Sequence, residues 1–359
     1  MSLLYSEVED ELRAAVRQVL ADRSPWSAIL ARIETDQPYD LGLWRMLAAD
    51  VGCAGLPVPE DHGGAGASWR EAAVVAEEFG RAVAPLPYLG NALATAALLA
   101  AGDTDLLPSV AAGKRTATLV LPLSTPPGAP PLSCVRVDGS AITGTVTSVA
   151  DAAAAEVLVV PTPDGLYAVE AADAIRAPLT SLDLTRPLHD VTFIGAPARP
   201  VAAPEVAARA WSGALVAGAA MLASEQLGVA EWCLETAVEH LKTRYQFGRP
   251  IGSFQALKHR LAALWVTVTQ ARAVARYAAG CLADGDPDAP VAASLAQAHC
   301  SEVAVTAAQE CVQLLGGTGF TWEHPAHLYL KRAKSDAIAL GTPDRHRTAL
   351  AALVGLPPA

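Results

Sequence analysis

Arg244-Tyr245-Gln246-Phe247-Gly248-Arg249-Pro250-Ile251-Gly252-Ser253-Phe254-Gln255 separates two long apolar helical patterns, and Gln313-Leu314-Leu315-Gly316-Gly317-Thr318-Gly319-Phe320 closes a third. Proline lacks the N–H and glycine is costly inside a helix, so Gly248-Arg249-Pro250 and Gly252 must break the first pattern. A new helix is expected from Ser253, a good N-cap residue, with its positive dipole end beside Arg244, Arg249 and Lys258. Such an end is a seat for phosphate. In the second stretch Gly316 and Gly317 permit close backbone approach, and Gln313 offers both a donor and an acceptor. Each stretch alone reads equally well as a helix end or a solvated basic face.

Working outward, helical periodicity predicts helices over 206–242, 253–282, 291–315, 326–336 and 343–354, the last with Thr342 as N-cap and Pro343 at its first position. Together they predict a C-terminal four-helix bundle over 204–359. Upstream, short runs at 118–121, 134–137, 141–145, 157–160 and 191–194 are rich in β-branched residues and separated by turn residues. Val137-Asp138-Gly139-Ser140 reads as a hairpin turn. A barrel-like β domain over 116–203 is expected. Residues 1–115 read as all-helical, with helices over 3–22, 41–50, 69–81 and 89–101 and a short acid-capped piece at 103–112. The predicted class is α+β multidomain.

The totals narrow the function. With 52% apolar residues, 18% charged and a net charge of −11, the chain suits packed helices and lacks the basic field that nucleic acid requires. Its six cysteines are scattered with no Cys-x-x-Cys pair, and read as small core residues in a reducing cytosol. The acidic start Ser6-Glu7-Val8-Glu9-Asp10-Glu11 is unlike a secretory signal. The most apolar run, Leu215 to Ala223, lies between Arg209 and Glu225 and reads as a core helix rather than a membrane span. His324 and His327 lack a third ligand of suitable spacing, so no metal site is expected.

Taken together and in this order, the R-x-x-F-G and Q-x-x-G-G-x-G stretches resemble the C-terminal domain of the acyl-CoA dehydrogenases, a family of FAD flavoproteins. Gly319-Phe320-Thr321-Trp322-Glu323-His324, Leu328-Tyr329-Leu330-Lys331-Arg332-Ala333 and Leu56-Pro57-Val58-Pro59-Glu60-Asp61-His62-Gly63-Gly64 extend the resemblance over most of the chain. It implies that Arg244, Phe247, Gln255, Gln313, Gly316 and Gly317 hold the ADP and pyrophosphate part of an FAD seated mainly on a neighbouring subunit, with Thr342 adding a hydroxyl contact. It also implies an acyl-CoA thioester substrate, an electron-transfer acceptor, and a partner that is either a second family subunit or another copy of the chain.

The sequence departs from this family where the chemistry belongs. The reaction needs a carboxylate to remove the α-proton. The family places it either before a Gly-Thr pair, which here makes it Leu340, or 26 residues before the R-x-x-F arginine, which makes it Gly218. Neither side chain can take a proton. The family's Thr-Glu-Pro segment is replaced by the proline-rich Leu121-Pro122-Leu123-Ser124-Thr125-Pro126-Pro127-Gly128-Ala129-Pro130-Pro131. Glu225, two turns beyond Gly218 in an apolar run, is either a relocated base or a hydrogen-bonded structural glutamate. Asp336 and Glu323 read as surface acids, and Asp344 as support for the first turn of the last helix. Three readings follow: an active dehydrogenase using Glu225, a subunit that completes a partner's FAD site, or a scaffold without activity. Interface residues are kept while those of the chain's own site are altered, which favours the second. It resembles the paired enzymes of actinobacterial steroid side-chain degradation, and that resemblance implies an α2β2 assembly and bulky sterol-derived thioesters.

Overall fold

The structure, a computed structural model, describes residues 3–356 of the chain. Helices α1 (Glu7–Arg23), α2 (Trp26–Ile33), α3 (Leu41–Ala49), α4 (Trp69–Ala82), α5 (Tyr88–Ala101) and α6 (Leu107–Ala111) form the first part. Ser6 and Ser68 cap α1 and α4 in reciprocal capping boxes with Glu9 and Glu71. Asp103 receives Leu106 N and Leu107 N at the start of α6. Helix α2 is an addition to the expectation. Ser24-Pro25 stops α1, but Pro25 also opens a turn whose Ile29 and Ile33, four apart, are buried.

The middle part departs from a barrel. Strands β1 (Ala117–Leu119), β4 (Val157–Thr162), β5 (Gly165–Glu170) and β8 (Arg199–Ala202) form one sheet in the order β1-β4-β5-β8. A separate sheet, β2-β3-β7-β6, is built from β2 (Val135–Asp138), β3 (Ala141–Ala150), β6 (Ala174–Pro178) and β7 (Leu188–Pro197). The sheets do not close on each other. They share a buried core containing Ile142, Leu158, Val160 and Phe193. The β2–β3 hairpin turns at Gly139, whose φ is +59°, as the sequence predicts. Strands β5, β6 and β8 were not expected, because their short runs lack sustained alternation.

The last part holds α7 (Pro204–Thr243), the short strands β9 (Tyr245–Gln246) and β10 (Arg249–Pro250), then α8 (Gln255–Ala283), α9 (Ala289–Leu315), α10 (Ala326–Asp336) and α11 (Pro343–Leu353). Helices α7, α8 and α9 pack on one another, and α10 and α11 lie against α9. At about 1.5 Å per residue, α7 runs about 60 Å. It is long and apolar enough to cross a membrane by composition, yet 72% of its most apolar window is buried inside the protein, which marks a core helix.

Two glycines set the depth of α7 against α4. A Cβ on Gly80 would come 2.0 Å from the Glu225 carbonyl oxygen, and one on Gly228 would come 1.9 Å from that of Glu77. The helices therefore meet backbone to backbone, and only glycine fits.

Candidate functional site

The two stretches that opened the sequence reading converge at one end of the C-terminal helices. Ala237 and Leu241 of α7 and Leu314 of α9 form a small buried cluster, with Leu257 and Leu261 of α8 packed against it. This cluster draws Arg244, Gln255 and Gln313 to the same rim, where all three are exposed. Arg260 of α8 pairs with Glu310 of α9 at 2.7 Å and ties the rim together.

Between α7 and α8 the chain makes a two-residue hairpin, with Gln246 opposite Arg249 and Tyr245 opposite Pro250. Both central residues have positive φ, Phe247 at +53° and Gly248 at +75°, as a type I′ turn requires. Glycine adopts that conformation readily, whereas phenylalanine is strained in it. The turn nonetheless lifts the Phe247 ring until it is 90% exposed. Its ring meets Phe254 edge-on at 6.1 Å, and the Arg249 guanidinium lies 4.0 Å from the Phe254 ring centre. Ile251 N donates to the Arg244 carbonyl at 2.8 Å, which closes the base of the hairpin.

The helix start differs from the expectation. Residues Ile251–Ser253 form a 3₁₀ turn, and α8 begins at Gln255 with no side-chain cap. Ser253 does not serve as the cap: its hydroxyl is buried with no partner. Leu257 N and Lys258 N donate to the Phe254 carbonyl, which leaves the amides of Gln255 and Ala256 for an external acceptor.

Among the described residues, Arg244, Arg249 and Lys258 form no salt bridge, and a side chain at Gly248, Gly316 or Gly317 would meet nothing within 4 Å. Gly316, with φ at +63°, ends α9. Unpaired cations, uncapped amides and open glycine backbone along one rim fit an anionic dinucleotide. Thr342 is apart from this rim. Its hydroxyl caps α11 by accepting Arg345 N, and it follows Gly341, which lies against Pro126.

The part of α7 around Gly218, well inside the helix, is closed. A Cβ on Gly218 would lie 2.3 Å from Leu93 Cδ2 and 3.2 Å from Leu340 Cδ1. The two positions at which a base was sought therefore face each other, with Leu93 of α5 between them. Leu340 is fully buried in a core that includes Leu123, Trp211 and Leu215. Neither position holds a carboxylate, and any side chain placed at Gly218 would collide with Leu93.

Glu225 is buried among charges. Arg186, in the connection from β6 to β7, donates through Nη2 to both of its oxygens, at 2.7 and 2.5 Å. Arg332 of α10 donates to Oε1 as well. Arg186 also reaches Asp336 Oδ1 at 2.7 Å, and Arg332 Nε reaches Asp183 Oδ2 at 2.5 Å. Burial acts to raise the Glu225 carboxyl, but the Arg186 and Arg332 guanidiniums outweigh it and hold the group below the usual carboxylate range. For Asp336 the balance reverses: burial first, then the Glu225 charge, push it up to about 8. Asp336 is thus not a surface acid; it is 0% exposed, while Glu323 is exposed as expected. The partners Arg186, Asp183 and Arg332 escaped the sequence reading, although Arg332 and Asp336 lie four apart on one helical face.

Of the cysteines, five are buried and Cys134 is exposed, so the core reading fails for that residue alone.

The sequence matches the family model described as acyl-CoA dehydrogenase, N-terminal domain, over residues 6–114 and the model described as acyl-CoA dehydrogenase, C-terminal domain, over 208–355. The acyl-CoA dehydrogenase IpdE2 of Mycobacterium tuberculosis is 39% identical over 340 residues, covering 94% of both chains. The ChsE4-ChsE5 complex of M. tuberculosis contains a chain that superposes with a TM-score of 0.88 at 27% identity over the full length of both. A chain of the Tcur3481-Tcur3483 steroid ACAD superposes with a TM-score of 0.83 at 29% identity, covering 97% of this chain and 98% of that one.

Proposed function

This chain belongs to the acyl-CoA dehydrogenase family, and on that premise we propose that it works as one subunit of a heteromeric FAD-dependent acyl-CoA dehydrogenase, completing the FAD site of a partner subunit rather than running a reaction in its own interior. One observation carries this reading: Arg244 stands exposed and unpaired among the described residues just past the end of α7, while Gly218, well inside that helix, is walled in by Leu93 and Leu340.

In that assembly Arg244 donates charge-assisted hydrogen bonds to the pyrophosphate. Gln313 binds the adenosine end, and Gly316 and Gly317 let the backbone approach it. Gln255 begins the uncapped helix whose positive end faces the phosphates. Phe247 covers the cofactor from solvent. Bound there, FAD would supply the hydride acceptor for the β-carbon of an acyl thioester and the route to an electron-transfer acceptor, and the carboxylate base would have to come from the partner, since positions 218 and 340 hold glycine and leucine. Glu225 is assigned a structural role, because a carboxylate held ionised by two guanidiniums is a poor proton acceptor. Thr342 is assigned to α11 rather than to the cofactor.

The relatives that form two-component complexes support an α2β2 assembly, and the steroid ACAD supports bulky, sterol-derived CoA thioesters as the substrate class. The division into regions 1–115, 116–203 and 204–359 and a cytoplasmic location belong to the same reading. Its test is to purify the chain alone and with a co-expressed family partner, and to record flavin absorbance and acyl-CoA oxidation. Colour and turnover are expected only with the partner, and Arg244→Ala should release the flavin. Yellow, active protein from this chain alone would overturn the reading.

A further inference from the structure

The proline-rich stretch that replaces the family's Thr-Glu-Pro segment touches three separate elements. Leu123 N donates to the Ser148 carbonyl of β3 at 2.9 Å, and the Leu123 carbonyl accepts Leu340 N at 2.6 Å. Farther on, a Cβ at Gly341 would lie 2.8 Å from Pro126 Cβ, so the linker between α10 and α11 is seated directly on the loop. The Ala129 carbonyl then accepts Trp211 Nε1 of α7 at 2.7 Å, and Trp211 is itself buried. The stretch thus spans the β layer, the α10–α11 linker and α7 in succession.

We propose that residues 122–131, buried only at Leu123, are a fixed brace laid across the β layer and the C-terminal helices, which closes the interior beneath it to flavin and acyl substrate in every state of the heteromer. This deepens the reading above and rests on it only for the identity of the excluded ligands.

Two features make a brace rather than a lid. Proline stands at 122, 126, 127, 130 and 131, and each ring fixes φ, so the loop has little conformational entropy to gain by opening. The anchors are also buried: lifting the loop would strand Leu340 N and Trp211 Nε1, and unsatisfied buried donors are costly. A further consequence concerns Gly218. Because Leu93 and Leu340 fill the place of a side chain there, returning a carboxylate with Gly218→Glu does not give this chain a working base.

Hydrogen–deuterium exchange on the co-expressed heteromer tests the brace. Peptides covering 120–132 and 338–346 should exchange slowly, with less than a twofold change on adding excess FAD, octanoyl-CoA or a steroid acyl-CoA thioester. Trp211→Phe keeps the ring but deletes one anchor. It should speed exchange at least tenfold in both peptides together, leaving the 244–256 peptide and the flavin content unchanged. Exchange of the unaltered peptides at solvent rates, or a change when ligand is added, would overturn the proposal whether or not the variant folds. A gain of flavin in Trp211→Phe would also overturn it. Failure of the FAD role proposed for the Arg244 rim shows separately, as flavin retained by Arg244→Ala.

Discussion

Gly218, well inside α7, and Arg244, just past its last residue, lie about 39 Å apart at about 1.5 Å per residue, and their surroundings are opposite. Around Gly218 the place of a side chain is taken by Leu93 and Leu340. Around Arg244 a cation, an exposed aromatic ring and bare glycine backbone lie open. The contrast teaches that one long helix can bury an apolar seam along its length and still leave a cationic rim open where it ends.

The largest effect expected is on the sealed side. Arg186→Ala leaves Glu225 with one guanidinium and Asp336 with none, and breaking a buried pair this way costs about 3–5 kcal/mol. Denaturant unfolding measures it; a loss below about 1 kcal/mol would show that the cluster is not the tie it resembles. Next comes Arg244→Ala on the open side. Loss of a charged hydrogen bond, worth about 1.5–3 kcal/mol, should weaken FAD in the heteromer by about ten- to a hundredfold. Its own folding stability should stay within about 0.5 kcal/mol.

Phe247→Gly separates the two roles of the hairpin. Relief of the positive-φ strain should stabilise the isolated chain by up to about 1 kcal/mol, while flavin retention falls. Improved retention would sink the assignment of that ring to the cofactor. Glu225→Gln should leave turnover per bound flavin unchanged in heteromer that folds. A fall of about a hundredfold or more, the scale of a lost general base, would restore the relocated-base reading.

The smallest effect is a pH slope. The Asp336 carboxyl sits at about 8 in the folded protein, above its unfolded value. The folded state therefore holds a proton that the unfolded state releases, and the stability this confers is lost as pH rises toward and through 8. Asp336→Asn should flatten the dependence of Tm on pH between about 6 and 8.5. Glu225, shifted the other way, loses its contribution only as pH falls through the acid range.

Much of this was legible before any coordinates. The long helices around the rim follow from apolar periodicity, and the breaks at Gly248-Arg249-Pro250 and Gly316-Gly317 from backbone chemistry, so Arg244, Gln255 and Gln313 could be grouped without a structure. The vacancies at Gly218 and Leu340 needed only counting. The sheets were less legible: β5, β6 and β8 are recognisable through their ladder partners, not through their own residues. Ser253 was misplaced because a 3₁₀ turn and a helical first turn ask for much the same residues.

By itself, the sequence determined where most of the long helices lie, which backbone can approach a ligand, and that glycine and leucine stand at 218 and 340. These are matters of neighbours along the chain, and near neighbours fix propensity, caps and turns. The tertiary structure alone decided the state of Glu225, the burial of Asp336 and the seating of the proline-rich loop. Arg186 lies 39 residues from Glu225 and Arg332 lies 107. Whether a carboxylate is a base or half of an ion pair depends on the charges brought within about 3 Å of it, and only the folded chain brings them there.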